Sequence, residues 1–143
     1  MATSERARLA PSQDDAAKLI LRLTVGVLLL FHGVAKITGG IDAIMGGLAK
    51  AGVPTAFGYL VYVGEVLAPL LLIAGAWTRV AASIMAINMV VALLLAHTGQ
   101  LFALSKTGGY ALELQAMYLF TAIAIALMGA GRYSVGGARG RWN

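Results

Sequence analysis

The chain has 143 residues, 59% of them hydrophobic, and a mean hydropathy of +0.82, which is too apolar for a soluble domain, whose apolar share is roughly 45–50%. Only 12% of residues are charged, and the net charge of +5 comes from Lys and Arg at the edges of apolar runs, a pattern suited to membrane headgroups and not to nucleic acid. Cysteine is absent, which excludes disulfides, thiol relays and thiolate metal sites.

The polar opening MATSERARLAPSQDDAAK lacks the charged-then-short-apolar pattern of a secretory signal, so the first helix is expected to be a retained anchor. Apolar runs near 19–38, 57–77, 80–98 and 110–128 each approach the ~20 residues that cross ~30 Å of hydrocarbon as a helix. Lipid forces each backbone to satisfy its own hydrogen bonds, so the expected fold is all-α: an integral membrane four-helix bundle forming one domain over 1–143. After Gly39-Gly40, the residues Ile41, Ile44, Met45 and Leu48 recur at helical spacing and predict a short interfacial helix in the first outer loop, near 41–50, before Pro54. The turn WTR is short enough to make the second and third helices antiparallel neighbours, and the loop GQLFALSKTGG carries Leu101, Phe102 and Leu104 toward the interface.

Basic residues set the expected orientation. With a cytoplasmic N-terminus, Arg6, Arg8, Lys18, Arg22, Arg79, Arg132, Arg139 and Arg141 lie inside, and only Lys36, Lys50 and Lys106 outside. The expected location is therefore the cell (inner) membrane, multi-pass, with both termini cytoplasmic. Arg22, about one turn from the inner edge, is expected to snorkel to the headgroups.

Counting about 1.5 Å per residue from the outer helix ends places Lys36 and His97 near the interface, Glu113 about one turn in, His32 about two turns in and Glu65 deepest, about 12 Å down. Five ionisable groups on four helices thus share the outer half, which points to a site opening outward; the inner half has Asn88 as its main polar residue. Each group also has a plain explanation. Lys36, at i+4 from His32 on one face, can snorkel; His32 can bond a neighbouring helix; His97 can be solvated; Glu113 can answer a helix dipole. Glu65 is harder to dismiss, since an unpartnered carboxylate at that depth costs at least ~2.5 kcal/mol. Pro69 lacks the N–H that would bond the Glu65 carbonyl, so side chain and backbone are both free for a ligand, a water or another helix. The competing explanation is a kink held by a neutral Glu.

The stretches LRLTVGVLLLFHGVAKITG, GEVLAPLLLIAGAWTR, GGYALELQAMYL and GAGRYS, in this order, resemble the signatures of the DoxX family of small four-helix membrane proteins. On that resemblance His32, Gly33 and Lys36 match the family's HGxxK, Glu65 its acid on helix two, Thr78 and Arg79 its TR turn, and Glu113 the acid opening helix four. Pro69 stands where relatives more often have Gly, and the loop before Glu113 is slightly longer. The resemblance implies an association with quinone-linked sulfur oxidation in a membrane complex, although many members have no established activity and fold alone does not fix chemistry.

Three functions remain open on this reading. In the first, the chain is a redox-associated subunit binding a quinone or a small reduced-sulfur ligand: His32 or His97 bonds a carbonyl, Glu65 or Glu113 exchanges a proton, and Lys36 attracts an anion. Tyr62, with Phe31 and Tyr118, would line the ring or simply pack. No flavin, haem or iron-sulfur motif is present, so electrons would come from partner subunits or the sulfur donor. In the second, two His and two Glu bind a metal, disfavoured by Lys36 and by spacing that fits no metal motif. In the third, the protein is a non-catalytic scaffold or transport component whose polar cluster is structural. Gly26, Gly33, Gly64 and Gly75 permit close packing within the bundle or in a homo-oligomer equally well, and membrane lipid is a partner in every case.

Overall fold

The computed structural model describes residues 12–138 and 140–143. Arg6, Arg8 and Arg139, which enter the charge asymmetry, lie outside the described residues. Helix α1, Gln13–Gly39, begins six residues before its apolar run because a capping box starts it: the Ser12 side chain accepts from Asp15 N–H, and the Asp15 carboxylate accepts from Ser12 N–H at 3.0 Å. Helix α2, Asp42–Lys50, stands where the short helix was expected, and the flanking Ile41 and its own Leu48 are buried against Gly58.

Helix α3, Thr55–Ala74, is a composite: a 3-10 turn over Thr55–Tyr59, one α turn, a π turn over Val63–Leu67 and an α segment from Ala68. It stops three residues short of the expected 77 because Gly75 (φ 70) and Trp77 (φ 48) are left-handed and fold the chain into α4, Thr78–Ala96. Helix α5, Glu113–Met128, also starts three residues late: Leu104 and Tyr110 pair as an antiparallel bridge, so the second loop folds on itself instead of joining the helix. By length and composition α1, α3 and α4 can cross a membrane, whereas α5, with 16 residues, is a shorter apolar helix of about 24 Å. The molecule is an all-α, membrane-associated helical bundle with three apolar spans, α5 packed against α4, and the short α2.

Helices α1, α3, α4 and α5 form a ring in which α4 and α5 pack most extensively and α1 and α5 meet most sparsely. The centre holds Val25, Leu29, Leu72, Met85, Met89, Ala122 and Ile125. Lipid is as apolar as these side chains, so the helices associate by close fit rather than by hydrophobic burial. Gly33 is where the fit is tightest: a Cβ there would overlap the Glu65 carbonyl. Gly26 and Gly64 also sit close, on Ile73 and Asn88, so this small-residue pattern is used inside the bundle.

Arg22 does not snorkel. It is 0% exposed, donating from Nη1 to Leu72 O at 3.0 Å and from Nη2 to Tyr133 O, while its Nε has no partner among the described residues. The reason is local: Gly75, left-handed and without a Cβ, leaves room for the guanidinium beside the last carbonyls of α3, where a cation is favoured. The following segment closes this end of the bundle. Arg79 donates to Ala126 O and Leu127 O, both at 2.9 Å; Thr78 Oγ1 donates to Asn143 Oδ1 at 2.8 Å; and Arg132 N–H donates to Asp15 Oδ1 at 2.9 Å.

Candidate functional site

The site begins with the missing N–H of Pro69. Without it the helix widens, the Ala68 N–H reaches back to Val63 O, and the π turn Val63–Leu67 displaces Glu65 toward the bundle interior. The Glu65 carbonyl rests on Gly33 of α1, so of the three occupants expected for it, another helix is the one present. The Glu65 side chain, 5% exposed, is held from two sides. Lys36 Nζ of α1 pairs with Oε2, and Asn88 Nδ2 of α4 donates to Oε1 at 3.2 Å. The depth penalty on the carboxylate is thereby offset by an ion pair and an amide, and three helices are tied at one point.

Above this knot lies a cavity of about 140 Å³, close in volume to the ~150 Å³ that admits a benzene ring. Its polar lining is His32, Lys36, Glu65, His97, Gln115 and Tyr118, with Leu29 and Met89 among its apolar lining. His32 Nδ1 lies 3.1 Å from Leu28 O, which can only accept, so Nδ1 carries a proton and, in the neutral ring, Nε2 presents a lone pair. The ring stands edge-on to Tyr118, with centroids 5.8 Å apart and an interplanar angle of 82°. The Tyr118 hydroxyl makes no hydrogen bond among the described residues. His97 caps the end of α4, its Nδ1 3.3 Å from Gln100 Oε1.

Of the residues singled out from sequence, the structure brings His32, Lys36, Glu65, His97 and Tyr118 to one cavity. Tyr62 is elsewhere: its hydroxyl donates to Lys36 O at 3.2 Å, and its ring lines a separate, open apolar groove of about 390 Å³ with Ile37, Val66, Leu67 and Leu70. Glu113 is also apart. It is the exposed first residue of α5, set beside Gly109, because the helix begins below the folded loop that was expected to be its first turn. Phe31 points outward. Sequence reasoning missed Gln115 and placed Asn88 in the other half of the molecule; the available signal was that a mid-span Asn needs a polar partner, and the deepest such group was Glu65. Among the described residues no three His, Asp or Glu side chains converge as a metal would require.

Chemically, the cavity offers a Lys36 ammonium with N–H groups beyond the one on Glu65, a hydroxyl on Tyr118 that can donate or accept, and the His32 lone pair. Glu65 already accepts one bond on each oxygen, and through Oε2 it fixes the position of Lys36.

Residues 17–98, more than half of the chain, match the DoxX family model, and the chain belongs to the DoxX family. The match spans α1 to α4 and includes His32, Gly33, Lys36, Glu65, Thr78 and Arg79; the resemblance read in 108–134 lies beyond it. No curated protein and no solved structure matches the chain.

Proposed function

With DoxX membership as the premise, we propose that the protein is a redox-associated membrane subunit that binds a quinone headgroup, or a small reduced-sulfur ligand, in the cavity between α1, α3, α4 and α5. The observation that supports this most is the set of hydrogen-bonding groups around a ring-sized space: Lys36, Tyr118 and His32 all line it, and among the described residues neither the Tyr118 hydroxyl nor His32 Nε2 has a partner. Lys36 and Tyr118 suit the two acceptor oxygens of a carbonyl-bearing ring, and His32 suits a hydroxyl that must lose its proton. A bound quinone would supply a two-electron, two-proton couple, with the electrons delivered by a partner subunit or by the sulfur donor itself.

Within this reading Glu65 positions Lys36 through their ion pair, and His32 takes up or returns a proton at Nε2. The chain would lie in the inner membrane with four crossings and both termini cytoplasmic, consistent with the basic residues gathered at the Arg22 end. The test is purification from native membranes, quantification of co-extracted quinone, and donor-to-quinone electron flux with any partner subunit supplied. His32→Ala and Glu65→Gln should lower the flux by about 10²-fold or more at unchanged protein level; wild-type flux in both would overturn the redox reading.

One observation favours a second reading, the scaffold. Lys36, Glu65 and Asn88 bond one another without a ligand, as a purely structural network would. Purified protein free of quinone, with Tyr118→Phe and His32→Ala membranes behaving as wild type, would select it.

A further inference from the structure

The cavity is enclosed on most sides. Toward α3, Gly33 is seated on the Glu65 carbonyl, Lys36 pairs with Glu65, and Tyr62 bonds Lys36 O at 3.2 Å. Toward α4 and α5, the helices make the most extensive pair in the ring. Below, Leu29, Met89 and the rest of the buried core fill the bundle, and the far end is closed by Arg22 and the segment after α5. Two lining residues break this pattern. His32 on α1 and Leu114 on α5 both face the cavity and yet are exposed, Leu114 at 51%. They stand on the two neighbouring helices of the ring that pack most sparsely against each other. The flanks of the gap are apolar, with Leu28 46% and Met117 67% exposed, as lipid-facing positions are.

We infer that the cavity opens sideways into the bilayer between α1 and α5, with His32 and Leu114 as the two sides of the mouth, and that it admits neutral, membrane-dissolved ligands while excluding aqueous anions. The charge arrangement carries the second half. Among the described residues Lys36 is the one Lys or Arg lining the cavity, and its charge is matched by the carboxylate of Glu65. An incoming anion would meet that carboxylate at close range in a low-dielectric setting, where repulsion is strong, and would have to displace it. A neutral ring asks only for the free N–H groups of Lys36, the Tyr118 hydroxyl and His32. This inference rests on the reading of the cavity as a ligand site and narrows it: of a quinone and a sulfur oxyanion, the cavity takes the quinone, and an anionic sulfur donor is oxidised elsewhere, its electrons arriving through a partner subunit.

The chain has no cysteine, so one introduced thiol reports access cleanly. Full-length Met89→Cys, on the cavity lining near Glu65, and Gln115→Cys, on its α5 side, are reconstituted in phospholipid vesicles. Each is treated with neutral N-ethylmaleimide or with the anionic methanethiosulfonate ethylsulfonate, and rates are normalised to Lys50→Cys on the exposed face of α2. The neutral reagent should modify both sites, the anion should lag by an order of magnitude or more, and adding Leu114→Trp should slow the neutral reagent at Met89→Cys by a similar factor. Equal access for the anion overturns the inference, as does failure of both reagents at both sites when the denatured protein labels fully. Should Met89→Cys fail to fold, Gln115→Cys gives the same discrimination. Quinone content of the wild-type protein separates the two readings: anion access with quinone retained removes the lateral route and leaves the ligand site standing, while neutral-only access without retained or competing quinone does the reverse.

Discussion

Asn88 on α4 donates from Nδ2 to Glu65 Oε1 on α3 at 3.2 Å, while Lys36 on α1 takes the other oxygen. One buried carboxylate therefore joins three helices, and its partners should be energetically coupled. Removing one member of a buried ion pair costs about 3–5 kcal/mol, mostly from the stranded charge. Lys36→Met should destabilise the protein on that scale, and adding Glu65→Gln should recover part of the loss. Asn88→Ala should cost about 0.6–1.7 kcal/mol, the range of interhelical hydrogen bonds in membranes. Reversible unfolding in mixed micelles provides the cycle. Strictly additive effects would show that the three side chains do not act as a unit.

The same bond changes what Asn88 is expected to do. Its sequence position assigns it to helix association, apart from the cluster. On the proposed function its contact with Glu65 would make it a positioning residue, so Asn88→Ala should lower donor-to-quinone flux as well as stability, and Asn88→Asp should not rescue it, because a second carboxylate would repel Glu65. Unchanged flux in Asn88→Ala at matched expression would return it to a packing role.

Gly33 and Gly46 make a matched pair of tests. A Cβ at Gly33 would overlap the Glu65 carbonyl, whereas one at Gly46 meets nothing within 4 Å. Gly33→Ala must push α1 off α3 at the π turn and should cost about 1–3 kcal/mol, the usual range for overpacking, and loosen the Lys36–Glu65 pair. Gly46→Ala in α2 should be neutral or stabilising by up to about 1 kcal/mol, because Ala is the better helix former. Thermal unfolding in detergent compares them directly; equal midpoints would contradict the close approach.

Charges inside apolar runs have few explanations, which is why His32, Lys36 and Glu65 could be picked out before any coordinates. The Pro69 break was legible for the same reason, since a missing N–H must show itself somewhere in the helix. What sequence could not supply was non-local. Arg22 looks like a snorkelling residue until Tyr133, 111 residues away, supplies a carbonyl to it. Glu113 counts as one turn deep only if helix α5 begins at Tyr110, and the Leu104–Tyr110 bridge that removes that turn joins residues with no shared periodicity. Tyr62 and Tyr118 could not be told apart, because the π turn alters the facing of residues around it.

Arg22 offers its own prediction. Its two acceptors, Leu72 O and Tyr133 O, belong to different segments, and only a planar guanidinium reaches both at once. Arg22→Lys keeps the charge but should still lose one bond, at about 1.5–3 kcal/mol for a charge-assisted pair. The segment from Gly129 onward should then become accessible to protease in bundles that are otherwise folded. Wild-type protection in Arg22→Lys would mean that Arg79, Thr78 and Asn143 hold that segment unaided.

The last prediction concerns the number and direction of crossings. Helix α5 is only 16 residues long, but it packs along α4 and ends where Arg79 meets Ala126 O and Asn143 O, so the proposed fourth crossing predicts that its two ends lie on opposite sides of the membrane. With the basic residues concentrated at that end, Lys50→Cys and Lys106→Cys should react with an impermeant maleimide in intact cells, and Arg141→Cys only after permeabilisation. Reaction of Arg141→Cys alone would reverse the orientation. Reaction of Lys106→Cys and Arg141→Cys together would mean that α5 does not cross, and Glu65 would then lie in a three-span bundle with α5 seated on its surface.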